Sequence, residues 1–127
     1  MKNAKQVKRV VFCSGKMYYD LLAAREKFEK NDVALVRVEQ LYPLPEKQMV
    51  EALEAFPNAQ EHFWVQEEPL NQGAWPFVLR KFEYKRLTPV GRKEAASPAT
   101  GSLGQHVSQQ EYIVKKSLDL APDTVMA

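Results

Sequence analysis

Short apolar runs alternate with helix-period stripes along the chain at intervals of about 25–30 residues, and this rhythm restricts the fold more than any other feature. Val10-Val11-Phe12-Cys13 is short, largely β-branched and ends at Ser14-Gly15, which predicts a buried strand leaving into a tight turn. Beyond the turn, Met17, Leu21, Ala24 and Phe28 recur at helical spacing, with Leu22 widening the stripe, and Asn31-Asp32 closes the helix. Val33 to Val38 reads as a second strand. Pro43 and Pro45 cannot lie inside a sheet or helix, but Pro45 suits the first turn of a helix whose apolar face is Met49, Leu53 and Phe56, closed by Pro57-Asn58. A third strand is expected from His62 to Gln66. A helix is expected over 74–83, with Trp75, Val78, Leu79 and Phe82 inward and Pro76 in its first turn. A fourth strand is expected over Tyr84–Val90. Gly91 to Gly104 reads as loop, and Leu103, Val107, Val114 and Leu118 form one stripe of a long last helix whose final residues fray.

Repeated strand–helix alternation predicts an α/β sandwich with a mostly parallel sheet and right-handed crossovers. All five glycines fall outside the predicted helix and strand interiors, which agrees with that reading. At 127 residues without an internal repeat or low-complexity segment, the chain is expected to be a single domain, residues 1–127, with its core over about 7–120. No apolar run nears the roughly 20 residues of a membrane span, and MKNAKQVKR resembles no signal segment, so a soluble intracellular protein is expected. The lone Cys13 excludes an internal disulfide and cysteine-rich zinc sites, and with only His62 and His106 a histidine-based metal site is not expected.

The net charge of +2 excludes a strongly basic nucleic-acid binder, yet it is unevenly spread. Residues 1–32 carry +4 (eight basic, four acidic) and residues 33–79 carry −5 (two basic, seven acidic). Residues 80–93 carry +5 (six basic, one acidic) and residues 94–127 carry −2 (two basic, four acidic). Such blocks are either solvated faces or a surface that meets a partner.

In a parallel sheet the residues just after each strand collect along one edge, where such folds place ligands. Here they are Ser14-Gly15-Lys16, Glu39-Gln40, Glu67-Glu68 and Gly91-Arg92. Ser14, Gly15 and Lys16 at a helix N-terminus could hold an anion, or simply cap, turn and solvate; the spacing matches neither a Walker loop nor a dinucleotide fingerprint. Glu67 and Glu68 are adjacent on a strand and therefore face opposite ways, which argues for contact with a neighbouring loop or domain over paired acid–base work. The basic segment Arg80, Lys81, Lys85, Arg86, Arg92, Lys93, interleaved with Phe82 and Tyr84, suits either phosphate binding or solvation. No nucleophilic triad assembles, and Cys13 reads as a small buried hydrophobe. No catalytic, cofactor-binding or metal-binding residue is assigned.

Four segments carry a family resemblance: RVVFCSGKMYYDL (Arg9–Leu21), VALVRVEQLYPLP (Val33–Pro45), WVQEEPLNQGAW (Trp64–Trp75) and VGR followed by SPATG (Val90–Gly101). In order and spacing, from about Val7 to about Leu118, they resemble the C-terminal domain of the decarboxylating component of the 2-oxoglutarate dehydrogenase complex. The chain departs from the pattern at Val65, where cysteine is common, in a shorter stretch between Trp75 and Gly91, and at Lys93-Glu94, where Pro-Ala is common. The resemblance implies a three-layer α/β/α sandwich like the transketolase C-terminal domain, its sheet mostly parallel with one antiparallel edge strand. It implies a parent enzyme of the tricarboxylic acid cycle, an oxidoreductase that uses thiamine diphosphate and magnesium, both bound in preceding domains. The parent passes a succinyl group to the succinyltransferase component.

For this segment the resemblance implies interdomain and dimer packing, with Gln66, Glu67, Glu68, Asn71, Gln72 and Gly73 as the structural set, and no turnover by the segment alone. A regulatory role is the alternative, binding acetyl-CoA or AMP through Ser14, Gly15, Lys16, Arg80, Arg86 and Arg92. Nucleic-acid and membrane partners are not expected. The setting is the cytoplasm of a bacterium or a mitochondrial matrix, and a 2-oxoadipate enzyme as parent stays open.

Overall fold

The computed structural model describes residues 3–92 and 103–125. Its first strand, β1 (Arg9–Cys13), is buried along its whole length because it lies inside the sheet, with β2 (Val33–Arg37) on one side and β3 (Glu61–Pro69) on the other. β4 (Thr88–Arg92) pairs with the far side of β3, giving the order β2-β1-β3-β4, all parallel. No antiparallel edge strand occurs among the described residues.

Each parallel pair needs a crossover helix. These are α1 (Gly15–Lys27), α2 (Glu46–Glu54) and α3 (Trp75–Lys81), and α4 (Leu103–Leu118) completes the set. Strand alternation then sorts the core. Val10, Phe12 and Trp64 join Met49 and Leu53 of α2 and Trp75 and Val78 of α3 on one face. Val11, Cys13, Phe63 and Val65 join Met17 and Leu21 of α1 and Ile113, Val114 and Leu118 of α4 on the other. The result is the three-layer α/β/α sandwich that the sequence implies.

Several boundaries differ from expectation. β3 runs on through Glu67-Glu68-Pro69, with a register irregularity between Val65 and Pro69 against β4, so the glutamates belong to the strand and not to a turn after it. β4 is Thr88–Arg92 instead of Tyr84–Val90, and Tyr84, Lys85 and Arg86 form an exposed connection. The shift places Gly91 inside a strand. α4 likewise takes in Gly104, so the expected loop between the two shrinks; residues 93–102 and the side chains of 103–108, including Leu103, His106 and Val107, lie outside the described residues. α3 is only seven residues long, with Pro76 in its first turn as expected, but Leu79 points outward at 44% exposure. Pro45 stands at the N-cap of α2, one place before the helix. α1 stops at Lys27, before Asn31-Asp32, because Glu29 takes a left-handed φ of 52°.

Candidate functional site

The chain leaves β1 over one face of the sheet to reach β2 and returns over the other face to β3. Doubly wound sheets bind ligands at such a reversal, beyond the carboxyl ends of the strands. A cleft of about 340 Å³ lies there, lined by Lys16 at the start of α1, Glu67 and Glu68 of β3, Arg92 at the end of β4, and Gln109 and Gln110 of α4. Gln110 donates to Asp20 Oδ2 at 2.9 Å and to Glu67 Oε1 at 3.4 Å, while Arg92 Nε donates to Gln109 Oε1 at 3.2 Å. The two glutamines thus tie α4 to α1, β3 and β4. Residue spacing carries no sign of them, since their role depends on contacts across 17 to 90 positions.

Of the six residues considered for an anion, the fold brings Lys16 and Arg92 to the cleft, with Ser14 and Gly15 at the adjoining turn. Ser14 occupies the N-cap of α1 but makes no side-chain capping bond. Arg80 and Arg86 are elsewhere. α3 runs back from the carboxyl ends of the strands to their amino ends, so Arg80 near its end and Arg86 just before β4 lie at the opposite edge of the sheet. The basic stretch 80–93 is therefore divided by the sheet. The cavity beside Arg86, between Trp75, Phe82 and Lys85, is about 150 Å³, below the roughly 300 Å³ of ordinary ligand sites.

Glu67 and Glu68 do face opposite ways. Glu67 is half-buried against Gln110, and Glu68 is exposed. The centre of the QEEPLNQGAW segment is the buried amide of Gln66. Its Oε1 accepts from Trp64 Nε1 at 3.0 Å and from the Trp75 backbone N–H at 2.8 Å. Its Nε2 donates to the carbonyls of Pro69 at 2.9 Å and Gln72 at 2.8 Å, with a longer contact to that of Glu68 at 3.3 Å. One side chain thereby fixes the end of β3, the turn that follows and the start of α3. Asn71, Gln72 and Gly73 lie exposed on that turn, and Gly73 has a φ of 66° with the Gln66 and Glu68 side chains about 3 Å from where a Cβ would stand. Gly91 meets the same segment closely: an added Cβ would lie 2.7 Å from the Glu68 carbonyl oxygen.

The buried Cys13 thiol is pushed up to about 12, first by burial and then by the charge of Glu39, so it stays protonated and unreactive. A larger cavity, about 740 Å³, opens at the amino ends of the strands between Arg9, Phe63, Thr88, Tyr112 and Lys116. Its buried guanidinium already has partners on all three nitrogens: Glu61 on Nε and Nη2, and the Lys116 and Ser117 carbonyls on Nη1. Among the described residues no three His, Cys, Asp or Glu side chains could hold a metal ion. The cleft's two glutamates, one of them tied to Gln110, do not make a magnesium-diphosphate cradle. Among the same residues no helix is long and apolar enough to cross a membrane.

The model of the family described as 2-oxoglutarate dehydrogenase C-terminal matches residues 1–118. The chain belongs to that family. It is 46% identical over 119 residues to the 2-oxoglutarate dehydrogenase E1 component of Haemophilus influenzae, covering 90% of this chain and 13% of that protein. The E1 component of Cupriavidus necator is also 46% identical, over 118 residues, covering 89% of this chain and 12% of its own length. The multifunctional 2-oxoglutarate metabolism enzyme of Mycobacterium sp. (strain KMS) is 42% identical over 118 residues, with 88% and 9% covered. The chain thus spans about one eighth of the length of the E1 relatives it matches, and the family's C-terminal segment is the part it holds.

Proposed function

We propose that this chain is a non-catalytic C-terminal domain, a single unit, of a thiamine-diphosphate-dependent enzyme that oxidatively decarboxylates 2-oxoglutarate, and that it acts in interdomain and dimer packing. The observation that supports this reading best is the Gln66 hub. The family-like segment with the densest set of polar groups uses its buried amide to hold the polypeptide's own turn, leaving Asn71, Gln72 and Glu68 on the surface for a neighbouring domain. The enzyme's partner in the complex would be the succinyltransferase component, met through the parent and not through this segment.

Two assays test the reading together. The 127-residue chain with 2-oxoglutarate, thiamine diphosphate and magnesium should release no carbon dioxide above background, and turnover would overturn it. Deleting the matching segment from the Haemophilus influenzae E1 component should reduce its dimer content; a truncated protein that dimerises and turns over like the parent also overturns it.

A second reading, regulation by acetyl-CoA or AMP, is favoured by the convergence of Lys16 and Arg92 on a cleft of ligand size at the chain reversal. Calorimetry with each compound should then show binding that weakens with salt and in Lys16→Ala and Arg92→Ala. Heats at background up to millimolar ligand count against it.

A further inference from the structure

Three charged side chains line the carboxyl-end cleft in the order of the strands that place them: Lys16 just after β1, Glu67 on β3 and Arg92 at the end of β4. Their signs alternate, positive, negative, positive. Neighbouring strands lie about 4.8 Å apart, so the two cations rise from backbone roughly 10 Å apart with the carboxylate between them. No ion pair joins any two of the three among the described residues. Amides hold two of them instead. Gln109 Oε1 accepts from Arg92 Nε at 3.2 Å and so orients a half-buried guanidinium whose Nη atoms have no partner among the described residues. Gln110 Nε2 gives its shorter bond, 2.9 Å, to Asp20 and only a 3.4 Å contact to Glu67 Oε1. Glu68, on the other face of β3, turns its carboxylate toward Gly73. Glu67 is therefore the acid that stands between the cations.

We propose that the cleft binds a small amino dicarboxylate, with its two carboxylates on Lys16 and Arg92 and its ammonium on Glu67. Such a molecule carries the complementary order of signs. The carboxyl carbons of an extended five-carbon chain lie roughly 5 Å apart. A charge-assisted bond of about 2.8 Å at each end then closes a gap of roughly 10 Å between the cations. The free Nη edge of Arg92 suits a two-point carboxylate contact. The cleft, about 340 Å³, is of small-molecule size. Glu67 also supplies the selectivity: a dicarboxylate without the ammonium would set two like charges against it with nothing to offset them. The proposal rests on the second reading above, in which this cleft takes a regulatory ligand, and names a class of ligand other than acetyl-CoA or AMP.

Calorimetry on the 127-residue chain with L-glutamate, glutarate, AMP and acetyl-CoA tests it. L-Glutamate should bind, and glutarate, of the same length but without the ammonium, should bind about tenfold or more weakly than it. Glu67→Gln keeps the side chain's shape and should bring the two affinities level, with unchanged far-ultraviolet circular dichroism. Lys16→Gln should weaken L-glutamate and glutarate alike. Equal affinities in the wild type, or a preference for L-glutamate that survives Glu67→Gln, overturn the proposal while leaving the cleft an anion site. Heat from AMP or acetyl-CoA with none from L-glutamate overturns the class of ligand and leaves the second reading standing. Background heats from all four compounds up to about millimolar concentration overturn both.

Discussion

A buried primary amide carries two donors and one acceptor, and each must find a partner on folding or lose the hydration it had in water. Gln66 finds partners for all of them. Gln66→Ala should therefore cost roughly 3 kcal/mol in urea unfolding, since it strands the Trp64 and Trp75 N–H groups together with the carbonyls at Pro69 and Gln72. Gln66→Glu should also destabilise, because a carboxylate would face those carbonyls, whereas Glu68→Gln on the surface should be nearly neutral. At Gly91 the problem is space: Gly91→Ala should cost about 1–3 kcal/mol by the same measurement, with β3 and β4 pushed apart at the Glu68 carbonyl. Part of this was legible beforehand. Trp64 and Gln66 are two apart on a strand and must share a face, and Glu67 and Glu68 must oppose one another. The amide's reach to Gln72 and Trp75 depends on how the turn closes, which residue spacing alone does not encode.

At the level of elements, the positions where expectation and structure part have a common cause. Gly91 lowers strand propensity, so the sequence pattern ends the strand at Val90, yet β4 pairs on one side only in the described sheet and tolerates both Pro89 and Gly91. The end of α1 was equally hidden, because the helix stops on a left-handed glutamate where glycine is usual. The Glu29 N–H donates to Glu26 O and the Lys30 N–H to Arg25 O, which is the Schellman arrangement. Glu29→Gly should consequently raise stability by about 1 kcal/mol, read as a higher thermal midpoint. The far end of α4 is closed differently. Arg9 donates to the Lys116 and Ser117 carbonyls while Glu61 holds the other side of its guanidinium and the Phe63 ring lies 4.2 Å beneath. Arg9→Met should cost about 2 kcal/mol and speed amide exchange in the last turns of α4 ahead of those in α1. A charged residue opening an otherwise apolar strand was the only hint of this role.

Across the whole molecule, parallel topology decides which charges can cooperate. Residues 80–93 form one basic block in the sequence, but a helix returning across the sheet separates Arg80 and Arg86 from Arg92, leaving Lys16 and Arg92 as the cations at the carboxyl-end cleft. The same geometry sets His62 at the amino ends of the strands, where partial burial first, and then the charge of Lys85, hold its imidazole below its ordinary value of 6.5; Glu61 opposes the shift. The unfolded chain therefore binds the His62 proton more readily than the folded one, and stability rises with pH wherever the two differ in protonation. The His62 contribution is fully present above the unfolded value of 6.5 and is lost as pH falls through the lower folded value. Urea unfolding between about pH 5 and 8 should show stability declining as pH falls below the unfolded value of 6.5, and His62→Gln should flatten the decline without shifting the plateau at higher pH. A wild-type slope equal to that of His62→Gln would assign the acid sensitivity to other groups. Lys85→Ala separates the two causes named here. With the neighbouring cation gone the imidazole should titrate closer to its ordinary value, and the decline should become shallower, yet persist, because burial is the larger cause.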